Sequence, residues 1–566
     1  MTDEERYKII SEDYADIFVR GQDNINRLLE EPEASISNIN RNLGVSYIPV
    51  TNMTRDSVLI FGYQNIPKCY GLLSLSSIEA SGINNLRKEE NFDLKGSNVL
   101  IGFVDTGIDY RNTIFQNPDG TTRIISIWDQ GIDSSNYPKD FFYGTEYTRE
   151  QINLALQAAD PLLVVPSTDE NGHGTMLAGV AAGGPSVENN FTGVAIHAEM
   201  VIVKVKPAKR YLKEFFRIPE YDLCYQENDI IMGIEYLVRM ARELGRPIAI
   251  CLGVGSSQGA HDGESILCRY LDEMGQQNGI GLVVAAGNEG NENHHVYGEV
   301  NPSLEYDIIT LNVGANESGF SMELWGFAPN IIEMDIYAPS GELVTKVSGE
   351  FLQRNTIQVD YNQTTIYIDN IFSESSTGGQ LILFRFLSPV SGLWRFVASG
   401  KGDLTIRYHI WLPISNFLSS DTFFLNADND TTLSIPANSI NTVTVTAYNN
   451  INSSLYFYTS RGFTRSNGLK PDVAAPGVNL VAPALNGGFL RYTGTSAAAA
   501  HTTGLVALIL EWGIVNKNFV NLNNIVIRRL LVRGAKRNPQ ISYPNESWGF
   551  GMLDIYRTFQ TFQNED

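Results

Sequence analysis

The sequence predicts an α/β protein: a parallel sheet flanked by helices, with a small α+β module in front and an antiparallel β-sandwich inserted into the middle. Short, nearly continuous apolar runs alternate with helical segments in two separated parts of the chain, which is typical of a parallel sheet covered on both faces. Between about residues 300 and 430 the helical segments disappear, and strand-like runs follow at short spacing. At 566 residues the chain is too long for one ordinary core.

The front module is predicted from three strand-like segments and one helical segment. The strand-like segments are "YADIFVRG", "SISNINRNLGVSYIPV" and "SVLIFGYQ". The segment "DNINRLLEEP" predicts a short helix, with Asp23 as its cap and Pro32 as its stop. The "NIPKCYGLLSLSS" that follows predicts a loosely structured connection, so the module is assigned to residues 1–75.

The rest of the chain divides by the same patterns. The predicted strands of the parallel sheet are "VLIGFVD", "MVIVKV", "IAICLGVG" and "IGLVVAAG", and "DIIMGIEYLVRMARELG" predicts a helix between two of them. The predicted sandwich strands are "IEMDIYAP", "TIQVDY", "TTIYIDNIF", "QLILFRFL", "GLWRFVASG" and "LTIRYHIWLP". The α/β pattern returns at "TLSIPANSINTVTVTAYN". The predicted α/β domain therefore comprises residues 76–299 and 432–566, and the predicted insert comprises 300–431.

Charge and cysteine content exclude several classes of function. The net charge is −22 and the pI is about 4.8, and such a surface repels nucleic acid and anionic membranes, so neither is an expected partner. The N-terminal "MTDEERYKII" lacks the apolar stretch of an export signal, and no uninterrupted apolar run is long enough to span a bilayer. We therefore expect a cytoplasmic protein whose four cysteines are reduced and mostly buried.

Three polar side chains lie at the ends of predicted elements, where open α/β sheets place functional groups. Asp105 ends an apolar strand in "GFVDTGID", His173 begins a helix in "NGHGTMLAGVAAG", and Ser496 begins another in "GTSAAAAHTTGLVALIL". A serine attacks an amide only when an imidazole removes its proton, and a carboxylate orients that imidazole. Asn288, in "VVAAGNEG", supplies an amide donor for the developing oxyanion.

Each of these residues also has a purely structural interpretation. Asp105 could be a turn residue, His173 a buried histidine with satisfied hydrogen bonds, and Ser496 a helix cap. Their joint occurrence with Asn288 favours a catalytic group. His501 lies about 1.4 turns beyond Ser496 on the same predicted helix, which turns it away from the serine, so we expect His173 to be the base and His501 to pack or hydrogen-bond.

The four motifs "DTGID", "NGHGT", "AAGNEG" and "GTSAAAAH", together with "KPDVAAPG", resemble those of the subtilisin-like serine peptidases (subtilases) in order and spacing. The resemblance covers about residues 76–295 and 432–566, and it implies the subtilisin-like fold. It implies a serine endopeptidase in which Asp105 orients, His173 is the general base, Ser496 is the nucleophile and Asn288 is the oxyanion donor. The positions that it implies for substrate binding are Cys251, Leu252, Gly253, Ala285, Ala286 and Gly287.

The chain departs from the family beside the nucleophile. The family usually has methionine directly after the serine and proline three residues later, whereas this chain has Ala497 and Ala500. Neither side chain performs chemistry, so we expect activity to survive. Without the proline, we expect the entrance of the helix, and with it the oxyanion geometry, to shift slightly. No cofactor or metal is expected, because "NENHH" and "NADND" lack zinc and calcium spacing and are predicted to be surface loops.

The front module resembles a subtilase propeptide, which implies an inhibitor and folding template that the enzyme cuts from itself. The expected cut lies between about residues 68 and 78. A short propeptide and a jelly-roll insert after the Asn288 motif resemble one subgroup, the clostridial germination proteases. That resemblance implies packaging in the spore, activation of a cortex-lytic enzyme by limited proteolysis and a propeptide that can stay bound. The alternatives are a pseudoprotease that acts as a binding or signalling module and an esterase-type hydrolase.

Overall fold

The computed structural model describes residues 3–30, 35–73, 94–300, 305–349, 352–359, 364–401 and 404–563. The expected cleavage window therefore lies partly outside the described residues, from residue 74 onward. The strands of the front module form a three-stranded antiparallel sheet in the order β1-β3-β2, and a fourth strand, β4, leaves the module. Its elements are α1 (Asp3–Ile10), β1 (Tyr14–Arg20), α2 (Gln22–Glu30), β2 (Ile36–Asn38), β3 (Leu43–Pro49), α3 (Ser57–Phe61) and β4 (Cys69–Leu72).

Three expectations for this module are wrong, and the first is the loosely structured connection, because its "CYGL" forms strand β4 (Cys69–Leu72). The segment "SVLIFGYQ" is not a strand but begins as helix α3, because the Thr54 N–H donates to Ser57 Oγ and that hydroxyl donates back to the Thr54 carbonyl, which closes a turn. Gly62, at φ 81°, then ends the helix. Asp23 does not cap α2, since the helix already begins at Gln22.

The main sheet has nine strands, with β26 and β25 both paired to β24 and the remaining order β24-β12-β10-β5-β8-β6-β7. All neighbours are parallel except β7 and β25, each of which is antiparallel to its partner. The strands are β5 (Leu100–Asp105), β6 (Ile124–Asp129), β7 (Thr145–Thr148), β8 (Glu199–Lys204), β10 (Ile248–Leu252), β12 (Ile280–Ala285), β24 (Val443–Asn449), β25 (Ser454–Leu455) and β26 (Val473–Pro476).

Helices cover both faces of this sheet, as its apolar strands require. Helices α5 and α9 belong to one buried apolar cluster, and α7 and α8 to another. The helices are α4 (Arg149–Gln157), α5 (His173–Ala182), α6 (Arg210–Phe216), α7 (Glu227–Leu244), α8 (Ile266–Met274), α9 (Thr495–Leu510), α10 (Asn524–Gly534) and α11 (Ile555–Gln563). Within the described residues, one helical stretch, Thr495–Val515, has the length and composition to span a bilayer, but 83% of its apolar window is buried inside the protein, as in a core helix.

The inserted strands form two antiparallel sheets that share one apolar core. The six-stranded sheet has the order β13-β22-β15-β20-β19-β18, and the five-stranded sheet has the order β17-β16-β21-β14-β23. The strands are β13 (His295–Val300), β14 (Tyr306–Val313), β15 (Gly319–Gly326), β16 (Ile331–Tyr337), β17 (Leu343–Val347), β18 (Leu352–Val359), β19 (Thr364–Ile371), β20 (Leu381–Leu387), β21 (Gly392–Lys401), β22 (Ile406–Trp411) and β23 (Phe423–Phe424).

The expectation that "NENHH" is a surface loop is wrong for its two histidines. Both His294 and His295 are buried, and His295 begins strand β13. His295 Nε2 lies 2.8 Å from His409 Nδ1, and its ring stacks on Trp411. These contacts lie where the sandwich joins the main sheet, so the histidines form part of the junction.

The remaining short strands build the edge of the cleft. Strand β4 of the front module lies between two strands of the α/β domain in the order β11-β4-β9. A separate hairpin precedes helix α9. These strands are β9 (Tyr225–Gln226), β11 (Val254–Gly255), β27 (Leu480–Pro483) and β28 (Phe489–Tyr492).

Candidate active site

Asp105 is the last residue of β5, near the centre of the main sheet. Parallel strands direct their carboxyl ends to one edge, so the residues that follow them gather there. The Asp105 carboxylate is buried, and its Oδ1 accepts a hydrogen bond from the Thr106 N–H at 2.8 Å. The neighbouring Gly107 adopts φ 108°, which turns the chain sharply away from the strand.

His173 is the first residue of α5 and approaches Asp105 through close backbone packing. A side-chain carbon at Gly174 would collide with the Gly107 carbonyl oxygen, so only glycine permits this approach. Gly172 precedes the helix in the left-handed region, at φ 93°. The two loops are also joined by a hydrogen bond from the Gly174 N–H to Thr106 Oγ1 at 2.9 Å.

Asp169 caps this helix and holds His173 in place. Its Oδ1 accepts the backbone N–H groups of Asn171 and Gly172, and its Oδ2 accepts the N–H and the hydroxyl of Thr175, at distances of 2.7 to 3.0 Å. A buried carboxylate with four donors fixes the first turn rigidly. The sequence analysis did not single out Asp169, because it lies three residues before the N-cap position, Gly172, where a capping side chain would be sought.

The side chains of Asp105, His173 and Ser496 form one buried hydrogen-bonded chain. His173 Nδ1 lies 2.7 Å from Asp105 Oδ1, and His173 Nε2 lies 3.1 Å from Ser496 Oγ. A proton on Nδ1 satisfies the carboxylate and leaves Nε2 to accept the serine hydroxyl proton. This arrangement can generate a serine nucleophile.

Ser496 is the second residue of α9, so its N–H belongs to the free N-terminal turn of a long helix. Asn288 lies beside it. The N–H and the hydroxyl of Thr495 both donate to Asn288 Oδ1, at 3.2 and 3.1 Å. The carbonyl end of the amide is therefore held at Thr495, and its donor end, Nδ2, is directed away from it. The Ser496 N–H and Asn288 Nδ2 together can stabilise an oxyanion.

The cleft beside Ser496 is occupied by the end of the front module. Strand β4 pairs antiparallel with β11, with Leu72 opposite Val254 and Gly71 opposite Gly255. Next along the chain, the Leu73 N–H donates to the Gly253 carbonyl at 3.1 Å, and the Leu73 carbonyl accepts the Ser496 N–H at 3.0 Å. The Leu73 carbonyl thus lies where an oxyanion would form during attack by Ser496.

The subtilase family (peptidase S8) matches residues 96–370 and 399–551, which is most of the chain. This chain belongs to the subtilase family. The subtilase has the fold of a solved structure, the CspB protease of Clostridium perfringens, with a TM-score of 0.76 and 29% identity over 86% of this chain and 96% of that one. The subtilisin-like fold expected from the sequence is confirmed, including the added antiparallel sheets.

Curated relatives give the same assignment. Serine protease AprX of Bacillus subtilis (strain 168) is 26% identical over 328 residues, which is 55% of this chain and 59% of AprX. Subtilisin-like protease SBT3.17 of Arabidopsis thaliana is 23% identical over 442 residues, which is 74% of this chain and 54% of that protein. The subtilase thus spans somewhat more than half the length of these relatives.

The substrate-binding positions implied by the resemblance fall into two groups. Gly253 touches Leu73, and a side-chain carbon there would lie 3.0 Å from His173 Cε1. Gly287 donates its N–H to Thr495 Oγ1 at 3.1 Å, behind the oxyanion site. The other four, Cys251, Leu252, Ala285 and Ala286, are buried in the apolar clusters on the two faces of the main sheet.

The sequence analysis missed one cleft residue, Ser434, which lies beside the expected substrate-pairing strand "CLGVG". Strand pairing continues beyond Gly253 through Val254 and Gly255, and a side-chain carbon at Gly255 would lie 2.7 Å from Leu73 Cδ1 and 2.9 Å from Ser434 Cβ. Ser434 therefore borders the space that holds the Leu73 side chain. No local signal marks Ser434, because it joins the cleft from beyond the insert.

Ala497 and Ala500 leave α9 regular over residues Thr495–Leu510, and both alanines are fully buried. His501 is buried in the same helix, and the histidine that contacts Ser496 Oγ is His173. All four cysteines are buried, as expected, and no disulfide joins any two of them in this structure. Across the ranges that the structure describes, no group of three or more His, Cys, Asp or Glu residues could hold a metal ion.

Replacing Asp169 with alanine should slow peptide-bond cleavage by about 100-fold, because a small displacement of the imidazole costs roughly that factor. The loss should appear in kcat, since Asp169 lies in the helix turn behind His173. The matched control is Asp119→Ala, which removes an exposed turn carboxylate. Single-turnover cleavage rates and thermal unfolding of both variants test this, and an unchanged rate for Asp169→Ala would contradict it.

Proposed function

We propose that this subtilase is a serine endopeptidase that cuts its own chain after Leu73 and then cuts protein substrates by limited proteolysis. One observation carries the proposal: the chain's own β4 lies in the cleft as an extended peptide, and the Leu73 carbonyl accepts a hydrogen bond from the Ser496 N–H. Antiparallel pairing along β11 holds a peptide backbone through main-chain hydrogen bonds, a mode that suits a protein substrate better than a small ester.

The chemistry follows from the geometry of the site. Ser496 Oγ attacks the Leu73 carbonyl carbon while His173 Nε2 takes the hydroxyl proton, and Asp105 stabilises the imidazolium through Nδ1. The Ser496 N–H and Asn288 Nδ2 donate to the oxyanion. Collapse expels the amine, which His173 protonates. Water, activated by the same imidazole, then hydrolyses the acyl-enzyme and leaves Leu73 with a free carboxylate.

The space around Leu73 supports an apolar residue of moderate size before the cut bond. The Leu73 side chain is buried and packs against Gly255, where any larger residue would collide with it. The Ser434 side chain borders the same space and offers no charge to an ionic substrate side chain. We therefore propose that the enzyme prefers an apolar residue of about the size of leucine directly before the cut bond.

Contacts throughout the front module support its retention after cleavage. One buried apolar cluster takes members from all three parts of the chain: Ile17 and Tyr63 from the module, Tyr211 from the α/β domain and Trp325 from the sandwich are among them. The Tyr63 hydroxyl donates to Glu323 of the sandwich. We propose that residues 1–73 stay bound as an inhibitor and that the sandwich helps to hold them.

The resemblance to the germination proteases supports a narrower role. In it, the enzyme would be packaged in the spore and would activate a cortex-lytic enzyme by limited proteolysis. The structural likeness to the CspB protease over 86% of this chain favours that subgroup. Reconstituted cleavage of a purified cortex-lytic proenzyme at one bond would test it.

A second candidate is a pseudoprotease that uses the fold as a binding module. One observation favours it: Ser496 is fully buried, with Leu73 seated against it. A retained front module could then serve only to stabilise the fold.

The test is the intact mass of the full-length chain beside Ser496→Ala. We expect the wild type to yield two fragments that separate after Leu73 under denaturing conditions and elute together on native gel filtration. Ser496→Ala should stay whole. If both chains are folded and uncut, the peptidase proposal fails and the binding module replaces it.

A further inference from the structure

Two thiols meet where the front module joins the α/β domain. Cys69 begins β4, and Cys224 directly precedes β9, which pairs with β4. The register places Cys69 opposite Gln226 and Tyr70 opposite Tyr225. Alternate residues of a strand share a face, so Cys224 lies on the same face as Gln226 and is a diagonal neighbour of Cys69.

The environment makes the two sulfurs unequal. Both thiols are fully buried in the apolar cluster shared by the three parts of the chain. Burial raises the pKa of Cys69 well above its ordinary value, and its hydrogen bond with Cys224 adds to this. The same hydrogen bond lowers the pKa of Cys224 despite its burial, and the charge of Lys213 lowers it further. Cys224 is therefore the sulfur that becomes a thiolate first.

We propose that Cys69 and Cys224 form a reversible disulfide that ties the front module to the α/β domain. This inference rests on the proposed cut after Leu73. Once that bond is broken, Cys69 lies four residues from the new carboxyl end, and the front module is held by non-covalent contacts alone. A disulfide at this point keeps β4, and with it Leu73, in the cleft. Oxidising conditions thereby lock the inhibited state, and reducing conditions unlock it.

The oxidant is a low-molecular-weight disulfide such as oxidised glutathione. The Cys224 thiolate attacks one glutathione sulfur, which forms a mixed disulfide and releases one glutathione thiolate. The Cys69 thiol loses its proton and attacks Cys224 Sγ, which releases the second glutathione thiolate. The two protein thiols are oxidised, and one oxidised glutathione is reduced to two glutathione molecules.

A route for the oxidant lies beside Cys224. The preceding segment reaches the surface, with Tyr221 at 86% exposure and Leu223 at 38%. A local opening of this segment would expose the Cys224 sulfur without unfolding the main sheet.

The other two cysteines serve as internal controls. Cys251 lies within β10, where burial raises its pKa to about 12. Cys268 lies in α8, where burial also raises its pKa, and its sulfur is 3.7 Å from the Pro436 carbonyl oxygen. Each of these two sulfurs is surrounded by apolar groups and oxygen atoms, so neither cysteine should form a disulfide.

The experiment treats the full chain with oxidised glutathione or dithiothreitol, blocks remaining thiols and runs denaturing gels without reductant. We expect the front-module fragment of the oxidised wild type to migrate with the large fragment and to separate after reduction. Peptide mass mapping should find a Cys69–Cys224 cross-link lacking two hydrogens. Cys69→Ser and Cys224→Ser should each release the fragment, whereas Cys268→Ala should keep it linked.

Ser496→Ala separates this inference from the proposed function, because its cross-link can be mapped without any cut. A cut wild type whose fragments separate after oxidation overturns the disulfide alone. If the wild-type chain forms the cross-link but is never cut, that result overturns the peptidase proposal alone. If a Cys→Ser variant does not fold, the cross-link map of the wild type decides, and any other cysteine pairing overturns the inference.

Discussion

Replacing His173 with alanine should slow cleavage after Leu73 by about a million-fold, the factor that loss of a catalytic histidine costs when it acts as one unit with the serine. His173 Nε2 lies 3.1 Å from Ser496 Oγ, so without it the hydroxyl proton has no acceptor during attack. The expected result is a folded, whole chain after days of incubation. Intact mass and thermal unfolding measure it.

His501 provides the matched control, because it lies on the same helix as Ser496 and is also buried. His501→Gln should cut itself at close to the wild-type rate once folded. The base assignment would be wrong if His501→Gln stayed whole while His173→Ala was cut. Both variants remove a buried histidine. If either variant failed to fold, its unfolding curve would show this, so misfolding can be told apart from the loss of the base.

The sequence predicts which polar residues lie together at the candidate active site, because these residues follow apolar strands or precede apolar helices. Such runs fix the main sheet, and a parallel sheet brings the residues at its carboxyl ends together. Asp105, His173 and Ser496 are therefore found from local patterns, although 323 positions separate His173 and Ser496. The glycines beside them add a second local signal, since Gly174 and Gly107 permit the close approach.

Features formed by long-range contacts could not be predicted in the same way. Ser434 reaches the cleft from beyond the insert, and His295 is buried where Trp411 and His409, both distant in sequence, stack on it. The helix at Ser57 depends on hydrogen bonds with Thr54 that an apolar pattern does not show. Short apolar segments read equally well as strand or helix.

Asp16 is the clearest example of a polar side chain whose burial depends on long-range contacts. In "YADIFVRG" it occupies a polar position that normally faces solvent, yet the side chain is fully buried. Its Oδ1 lies 2.6 Å from Lys209 Nζ, and its Oδ2 accepts from Gln226 Nε2 at 2.5 Å and from Asn228 Nδ2 at 2.9 Å. All three partners belong to the α/β domain, so Asp16 joins the front module to it.

Asp16→Ala should weaken retention of the cut front module by roughly 100- to 4000-fold, because removing one partner of a buried ion pair costs about 3–5 kcal/mol. Lys209 would be left buried without its partner carboxylate. Burial already lowers the pKa of Lys209, and Asp16 is the main group that opposes this shift. Two amide donors would also lose their acceptor. Gel filtration of the cut protein, followed by denaturing gels, measures how much of the fragment remains bound.

Asp13→Ala is the matched control, since Asp13 lies in the same module, is exposed and accepts a hydrogen bond from the Tyr7 hydroxyl of that module. It should leave retention unchanged. Asp16→Asn keeps the size of the side chain while removing its charge, so it isolates the ion pair if the alanine chain folds poorly. Release of the fragment should also raise peptide hydrolysis, because Leu73 leaves the cleft with it. Equal retention in Asp16→Ala and Asp13→Ala would mean that the apolar cluster alone holds the module, and the buried ion pair would then serve orientation and not affinity.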